Sequence, residues 1–264
     1  MAIVRVEGVA AVELAAQARP LTLNVPQVEP VIYKRNLLEK AVCELRFPTL
    51  YGLERGKPPI SLANALRKEF PEHGSVDGLN LTAGAVQQDF AYIFTDKKRH
   101  TTVTFRASAL SVETTSYHSF EAFTERVLFV AEAARTAVDS EFFTRLGIRY
   151  INAVPYEQAT ISNWVNPVIV SPLAQNFFGQ PAEYSGRIAA TEERGGFLFQ
   201  HGIGKHAQTG QYQYLLDFDF WREDVQFTDL KATMDQLHKM EFRLFHWSLG
   251  PAAFEYMGVA QSKK

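Results

Sequence analysis

The sequence predicts an α+β fold, a curved, mainly antiparallel sheet of about eight strands with two long helices on one face. Three observations predict it. Short segments alternate apolar and polar residues at the period of a strand, and the connections between them are too short for parallel crossovers. Two longer segments carry apolar residues at helical spacing. The order strand, short helix, three strands, long helix then comes twice. It divides the chain into an arm over residues 1–30 and two halves, 31–140 and 141–264, expected to form one compact unit.

Taken in order, residues 1–30 have no firm period and are broken by Pro20, Pro26 and Pro30, as suits an arm lying against the body. Ala41–Phe47 alternates as a strand and Pro48 ends it. Ser61 is the expected cap of a short helix with Leu62, Ala65, Leu66 and Phe70 as its stripe. QDFAYIFTD, TTVTFRAS and ALSVETTS read as an antiparallel meander, the first two joined by the turn DKKRH. Ser119 caps the first long helix, whose buried stripe is Phe120, Phe123, Val127, Val130, Ala134 and Val138.

The second half opens on the central strand FTRLGIRYINAV, residues 143–154. One or two short helices follow, broken at Asn166-Pro167 and restarted with Ser171 as cap and Pro172 as first helical residue. Strands are expected over 184–191, 197–202 and 212–220, with a hairpin turn at EERGG. Thr228 is the expected cap of the last long helix, striped by Leu230, Met234, Leu237, Leu244 and Phe245. Gly250-Pro251 stops it, leaving a short apolar tail.

Composition bounds the function. With 46% hydrophobic and 21% charged residues over 264, the chain is globular with a sizeable core, and its 20 Phe and 10 Tyr suit a β-rich one. A net charge of -2 gives no global attraction to nucleic acid or anionic membrane, so such binding needs a local patch. Cys43 is the one cysteine; it forms no internal disulfide and alternates with Leu45 and Phe47 as a small buried hydrophobe. Arg5, Glu7 and Glu13 interrupt the apolar opening, unlike a signal peptide, and no run reaches the length of a membrane span. A soluble cytoplasmic protein with no membrane association is expected.

Alternation also sorts the strands into two faces. Cys43, Leu45, Phe90, Phe94, Phe105, Ile148, Tyr150, Phe197, Phe199, Leu216 and Phe218 are expected against the helices. Glu44, Arg46, Thr104, Arg106, Glu113, Arg145, Arg149, Arg187, Gln200, Asp217 and Asp219 are expected to look away. That polar face is either a solvated surface of cross-strand ion pairs or a cradle for a carboxylate, phosphate or nucleic-acid backbone. The candidate ligand-binding residues are Arg46, Arg106, Arg145, Arg149, Asn152 and Arg187. Lys97, Lys98 and Arg99 at a basic hairpin tip are the candidate nucleic-acid contacts.

Other motifs carry less. HGIGKH at 201–206 has glycines and a lysine, but a strand follows where a phosphate loop needs a helix. His201 and His206 find no clear third metal ligand. His238 and Glu241 share a helix face, as metal or acid–base pairs do and as ordinary surface pairs do more often. No catalytic motif, metal site or cofactor fingerprint is present.

YKRNLLEKAVCELRFP, RLGIRYINAV, QYLLDFDFW and LHKMEFRLF together resemble, over about residues 31–257, an uncharacterised bacterial family described as sporadically distributed. The resemblance touches Arg149, Tyr150, Asn152, His238 and Phe242 but implies no activity, cofactor or role for them. Its patchy occurrence is associated with accessory genes, phage-defence cargo included.

The leading expectation is a non-enzymatic binding protein. It would meet a partner protein or small anionic ligand through the sheet face or the groove between halves, with homo-oligomerisation open. The alternatives are a nucleic-acid-engaging component of an accessory system and an unfamiliar hydrolase using His201, His206, His238 or Glu241.

Overall fold

Alternating strands assemble into an open nine-stranded antiparallel sheet of order β2-β3-β4-β5-β1-β6-β9-β8-β7, which with six helices gives an α+β fold. The computed structural model describes residues 23–29, 31–54, 56–82, 85–206 and 208–259, with side chains described for all but 78–82 and 85–89 of these. The first series of elements is β1 (Leu38–Arg46), α1 (Ile60–Leu66), β2 (Glu72–Thr82), β3 (Ala85–Thr95), β4 (Thr101–Phe105), β5 (Ala109–Thr114) and α2 (Phe120–Val138). The second is β6 (Phe142–Pro155), α3 (Ile161–Trp164), α4 (Pro167–Ala174), β7 (Ser185–Glu192), β8 (Gly195–Lys205), β9 (Tyr212–Gln226), a 3-10 turn (Phe227–Asp229), α5 (Leu230–Ser248) and α6 (Pro251–Met257).

The central strand of the sequence is central in space. β6 pairs with β1 on one side, Cys43 opposite Ile148, and with β9 on the other, Tyr150 opposite Phe218. One face of the sheet is apolar and buried: Cys43, Leu45, Phe94, Phe105, Ile148, Tyr150, Phe197, Phe199, Leu216 and Phe218 all lie in the core, with Phe90 partly buried against it. Cross-strand stacking continues this face, with Phe199 on Phe218 at 4.8 Å and Phe197 on Phe220 at 5.2 Å. α5 packs against β9 and β6, and its Phe245 meets Phe218 edge-on at 6.2 Å. Each ring buried here is worth about 2–3 kcal/mol. Burial also raises the Cys43 thiol pKa, leaving an inert thiol.

Several local expectations need correction. The sheet has nine strands, the additional one being β2 at the edge. α1 begins at Ile60 and has no side-chain cap, so Ser61 lies inside it. In α4 the cap is Asn166, whose side chain accepts from the Val168 N–H at 3.0 Å, with Pro167 at the helix start and Pro172 inside. Thr228 lies in the 3-10 turn, and α5 follows Asp229 without a side-chain cap. Pro251 does not merely stop α5 but begins α6. Ser119 caps α2 as expected, its Oγ accepting from the Ala122 N–H at 3.1 Å.

The arm expected over residues 1–30 lies outside the described residues except for 23–29. There Leu23 and Val25 pack against the core, and their carbonyls accept from Arg243 Nη2 at 3.1 and 2.7 Å. Among the described residues, no helix is long and apolar enough to cross a membrane.

Candidate functional site

The polar sheet face carries a ladder of paired charges. Arg149 forks onto Asp217, with Nε at 2.8 Å from Oδ1 and Nη2 at 2.6 Å from Oδ2. Arg145 reaches Glu44 at 3.3 Å and Asp219 at 3.0 Å. Arg46 also uses Glu44, at 2.7 Å, and Lys40 pairs with Glu113 at 2.7 Å. Burial raises the Asp219 pKa and Arg145 opposes the rise, so removing the arginine would leave an expensive buried acid. Most guanidiniums of this face therefore already have carboxylates, and a ligand would have to displace them.

The other candidates do not complete a cradle. Arg106 sits half-buried in the turn after β4 and is itself engaged, its N–H donating to the Ala109 carbonyl at 2.8 Å. Arg187 is exposed on the edge strand β7, opposite Gln200, and makes no ion pair with a described residue. It stands four strand positions from Arg46, about 19 Å across the sheet. Asn152 is a correction: it is buried at 4% exposure, on the same face as Tyr150, with Nδ2 3.5 Å from the Leu216 carbonyl. Parity explains this, because positions 145 and 152 differ by an odd number and so point to opposite faces of one strand.

The better-formed concavity lies elsewhere. The β3–β4 hairpin tip, the segment after α1 and the N-terminal part of α2 border a half-open cavity of about 510 Å³. Lys68, Lys97, Lys98 and Arg126 line it, against two carboxylates, Glu69 and Asp96. Both carboxylates are occupied: Glu69 holds Arg126 at 3.3 Å, and Asp96 accepts the His100 backbone N–H at 2.8 Å. Lys68, Lys97 and Lys98 are exposed and form no ion pair with a described residue. Ala122 and Phe123 bring the first turn of α2 to the wall, but their N–H groups already donate to the Ser119 Oγ and carbonyl, so the helix start offers an anion only its dipole, partly offset by Glu121. His118 Nδ1 donates to the Ser116 carbonyl at 2.9 Å, leaving Nε2 as the free ring nitrogen. Of the hairpin-tip cations, Arg99 alone is tied down, to Glu72 at 2.9 Å.

Tyr117 lines the same cavity and leads inward. Its ring meets Tyr150 edge-on at 5.6 Å, and the Tyr150 hydroxyl lies 3.4 Å from His238 Nδ1. His238 stacks flat on Phe120 of α2 at 3.9 Å. Glu241, one turn along α5, is 1% exposed, and neither carboxylate oxygen has a hydrogen-bond partner among the described residues. Burial, helped by the charges of Asp219 and Asp217, raises its pKa well above the usual carboxylate range. Burial pushes His238 down to about 4, against the opposing charges of Glu121 and Asp235. Burial thus disfavours the charged form of both groups, a carboxyl with a raised pKa one turn from an imidazole with a lowered one.

The remaining histidines go separate ways. His201 Nδ1 pairs with the Tyr214 hydroxyl at 2.6 Å, and His206 Nδ1 accepts two loop N–H groups at 3.3 Å. Among the described residues, no group of three or more His, Cys, Asp or Glu is placed to hold a metal ion. Sequence reasoning found Lys97, Lys98, His238 and Glu241 but missed Lys68, Tyr117, His118 and Arg126. These come from three separate stretches, and no spacing links them. Comparison of the chain with protein-family models and with curated proteins finds no match.

Proposed function

We propose that this protein is a non-enzymatic binding protein for a small anionic ligand, working in the cytoplasm, and that the ligand sits in the cavity between the basic hairpin and the start of α2. One observation carries the reading. Lys68, Lys97 and Lys98 border the cavity without an ion pair to any described residue, while Glu69 of its wall is neutralised by Arg126 and Asp96 is bound by a backbone N–H. Uncompensated ammonium groups beside a helix N-terminus attract an anion without first breaking an internal pair. Arg46, Arg145 and Arg149 of the open sheet face have no such freedom. The site thus moves from the sheet face to one end of the molecule.

The same reading treats residues 31–140 and 141–264 as two copies of one plan. In each series the first strand pairs with the last, β1 with β5 and β6 with β9, and a 19-residue helix closes the series. Tyr150 and His238, from two of the segments that resemble the sporadically distributed family, meet where the halves join.

Calorimetric titration of the full chain with sulfate, phosphate, acetate and citrate at low ionic strength tests the binding. Saturable binding is expected, weakened about tenfold or more by K97E/K98E, which reverses two charges at the wall, and left nearly unchanged by R149Q. Binding that follows Arg149 and ignores both lysines would return the site to the sheet face.

A further inference from the structure

Resting on that reading, we propose that the group bound in the cavity is a phosphomonoester, held by Lys68, Lys97 and Lys98. The type of cation left free points there. Arg126 is the one guanidinium among the described wall residues, and it is committed, with Nη1 3.3 Å from Glu69 and Cζ 5.4 Å from the Phe70 ring centroid. A guanidinium fork would read a carboxylate or a phosphate alike, and no free fork is offered among the described wall residues. The free cations are ammonium groups, compact point charges with three rotatable donors each. Such groups suit a tetrahedral oxyanion with three terminal oxygens.

Charge narrows the class further. Glu69 is neutralised by Arg126, whereas Asp96, bound by a backbone N–H, keeps its charge, so the three ammonium groups leave the wall with about two net positive charges. A phosphomonoester brings close to two negative charges at neutral pH, whereas a carboxylate or a phosphodiester brings one. Shape separates a small molecule from a polymer. The cavity of about 510 Å³ holds far more than the phosphate, leaving room for an organic part of ordinary ligand size. A nucleic-acid backbone needs instead a continuing basic track. The chain carries a net charge of -2, Arg99 beside the site is paired with Glu72, and the open sheet face is a ladder of neutralised pairs.

The test is competitive calorimetry on the full chain at constant ionic strength and about pH 8, where a phosphomonoester is fully ionised. The probes are methyl phosphate, dimethyl phosphate, acetate and a single-stranded oligonucleotide without terminal phosphates. Methyl phosphate is expected to bind roughly tenfold tighter than dimethyl phosphate or acetate, the scale set by one added charge near several cations. The single variants K68Q, K97Q and K98Q are each expected to weaken it several-fold. These side chains are exposed, so folding is not at stake. Equal binding of acetate or dimethyl phosphate would overturn the phosphomonoester assignment and leave anion binding in the cavity standing. Tighter binding of the oligonucleotide than of methyl phosphate would overturn it in favour of a nucleic-acid contact. No binding of any probe would remove both readings together.

Discussion

The guanidinium of Arg145 lies over Gly147: a Cβ built on that glycine would stand 2.7 Å from Arg145 Nη1. Gly147 is flanked in register by Glu44 on β1 and Trp221 on β9. The missing side chain is the slot through which the arginine reaches Glu44 and Asp219, while its guanidinium sits 5.2 Å over the Trp221 ring. A branched side chain there, G147V, is expected to expel Arg145 and leave Asp219 unpaired, at a cost of about 2 kcal/mol. Urea unfolding checks this. The double variant G147V/R145M should cost little more than G147V alone, because both remove one interaction. Additive losses would show that the slot and the arginine act independently.

Arg149 offers the contrast. Its pair with Asp217 is bidentate, yet the arginine side chain is 47% exposed, so solvent screens it. R149Q is expected to cost at most about 1 kcal/mol in the same unfolding assay. A loss of several kcal/mol would mean that this surface pair is a structural keystone.

The Glu241 and His238 pair predicts a stability profile with opposite limbs. Glu241 has a folded pKa above its unfolded value, so the native state binds the extra proton. Its contribution is complete below the unfolded pKa of about 4.3 and is lost as pH rises through the folded value, at up to about 1.4 kcal/mol per pH unit. His238 has a folded pKa of about 4 against an ordinary 6.5, so its contribution is complete above 6.5 and is lost as pH falls toward 4. That limb is worth about 3 kcal/mol in all. Over the range in which both titrate, the two slopes oppose one another. E241Q should therefore flatten the alkaline fall in the urea midpoint, and H238F the acid one. A profile unchanged in both variants would show that neither group titrates as its burial implies.

The α2 cap is a smaller and cleaner case. S119A removes the acceptor of the Ala122 N–H at the helix start. It should cost about 1 kcal/mol of stability, and S119D should restore it. Failure of the aspartate to restore stability would mean that the serine matters by another route.

Period-two alternation made the two sheet faces legible, because a strand leaves each side chain only two directions. Cys43, Ile148, Tyr150 and Phe218 fell on the buried face for that reason. β2 escaped because its described side chains, Glu72 to Asp77, are all exposed, so hydrophobicity marks neither face of this edge strand. Asn152 was grouped with Arg145 and Arg149 by nearness in sequence, when parity already placed it on the other side. Helix starts misled where several residues competed to be the cap: Asn166 rather than Ser171, and a 3-10 turn at Thr228. The cavity was legible only as Lys97-Lys98. Lys68 and Arg126 join them through β-sheet and helix packing that no local pattern encodes. For Glu241 the helical spacing to His238 was visible, but not the Tyr117 and Tyr150 rings that close over that region.

Where an anion comes to rest can be seen outright by soaking crystals of the full chain in selenate and mapping the anomalous signal. The account predicts a peak inside the cavity, within reach of the Lys97 and Lys98 ammonium groups at the start of α2. A peak over Arg149 or Arg187 on the sheet face, with none in the cavity, would contradict it.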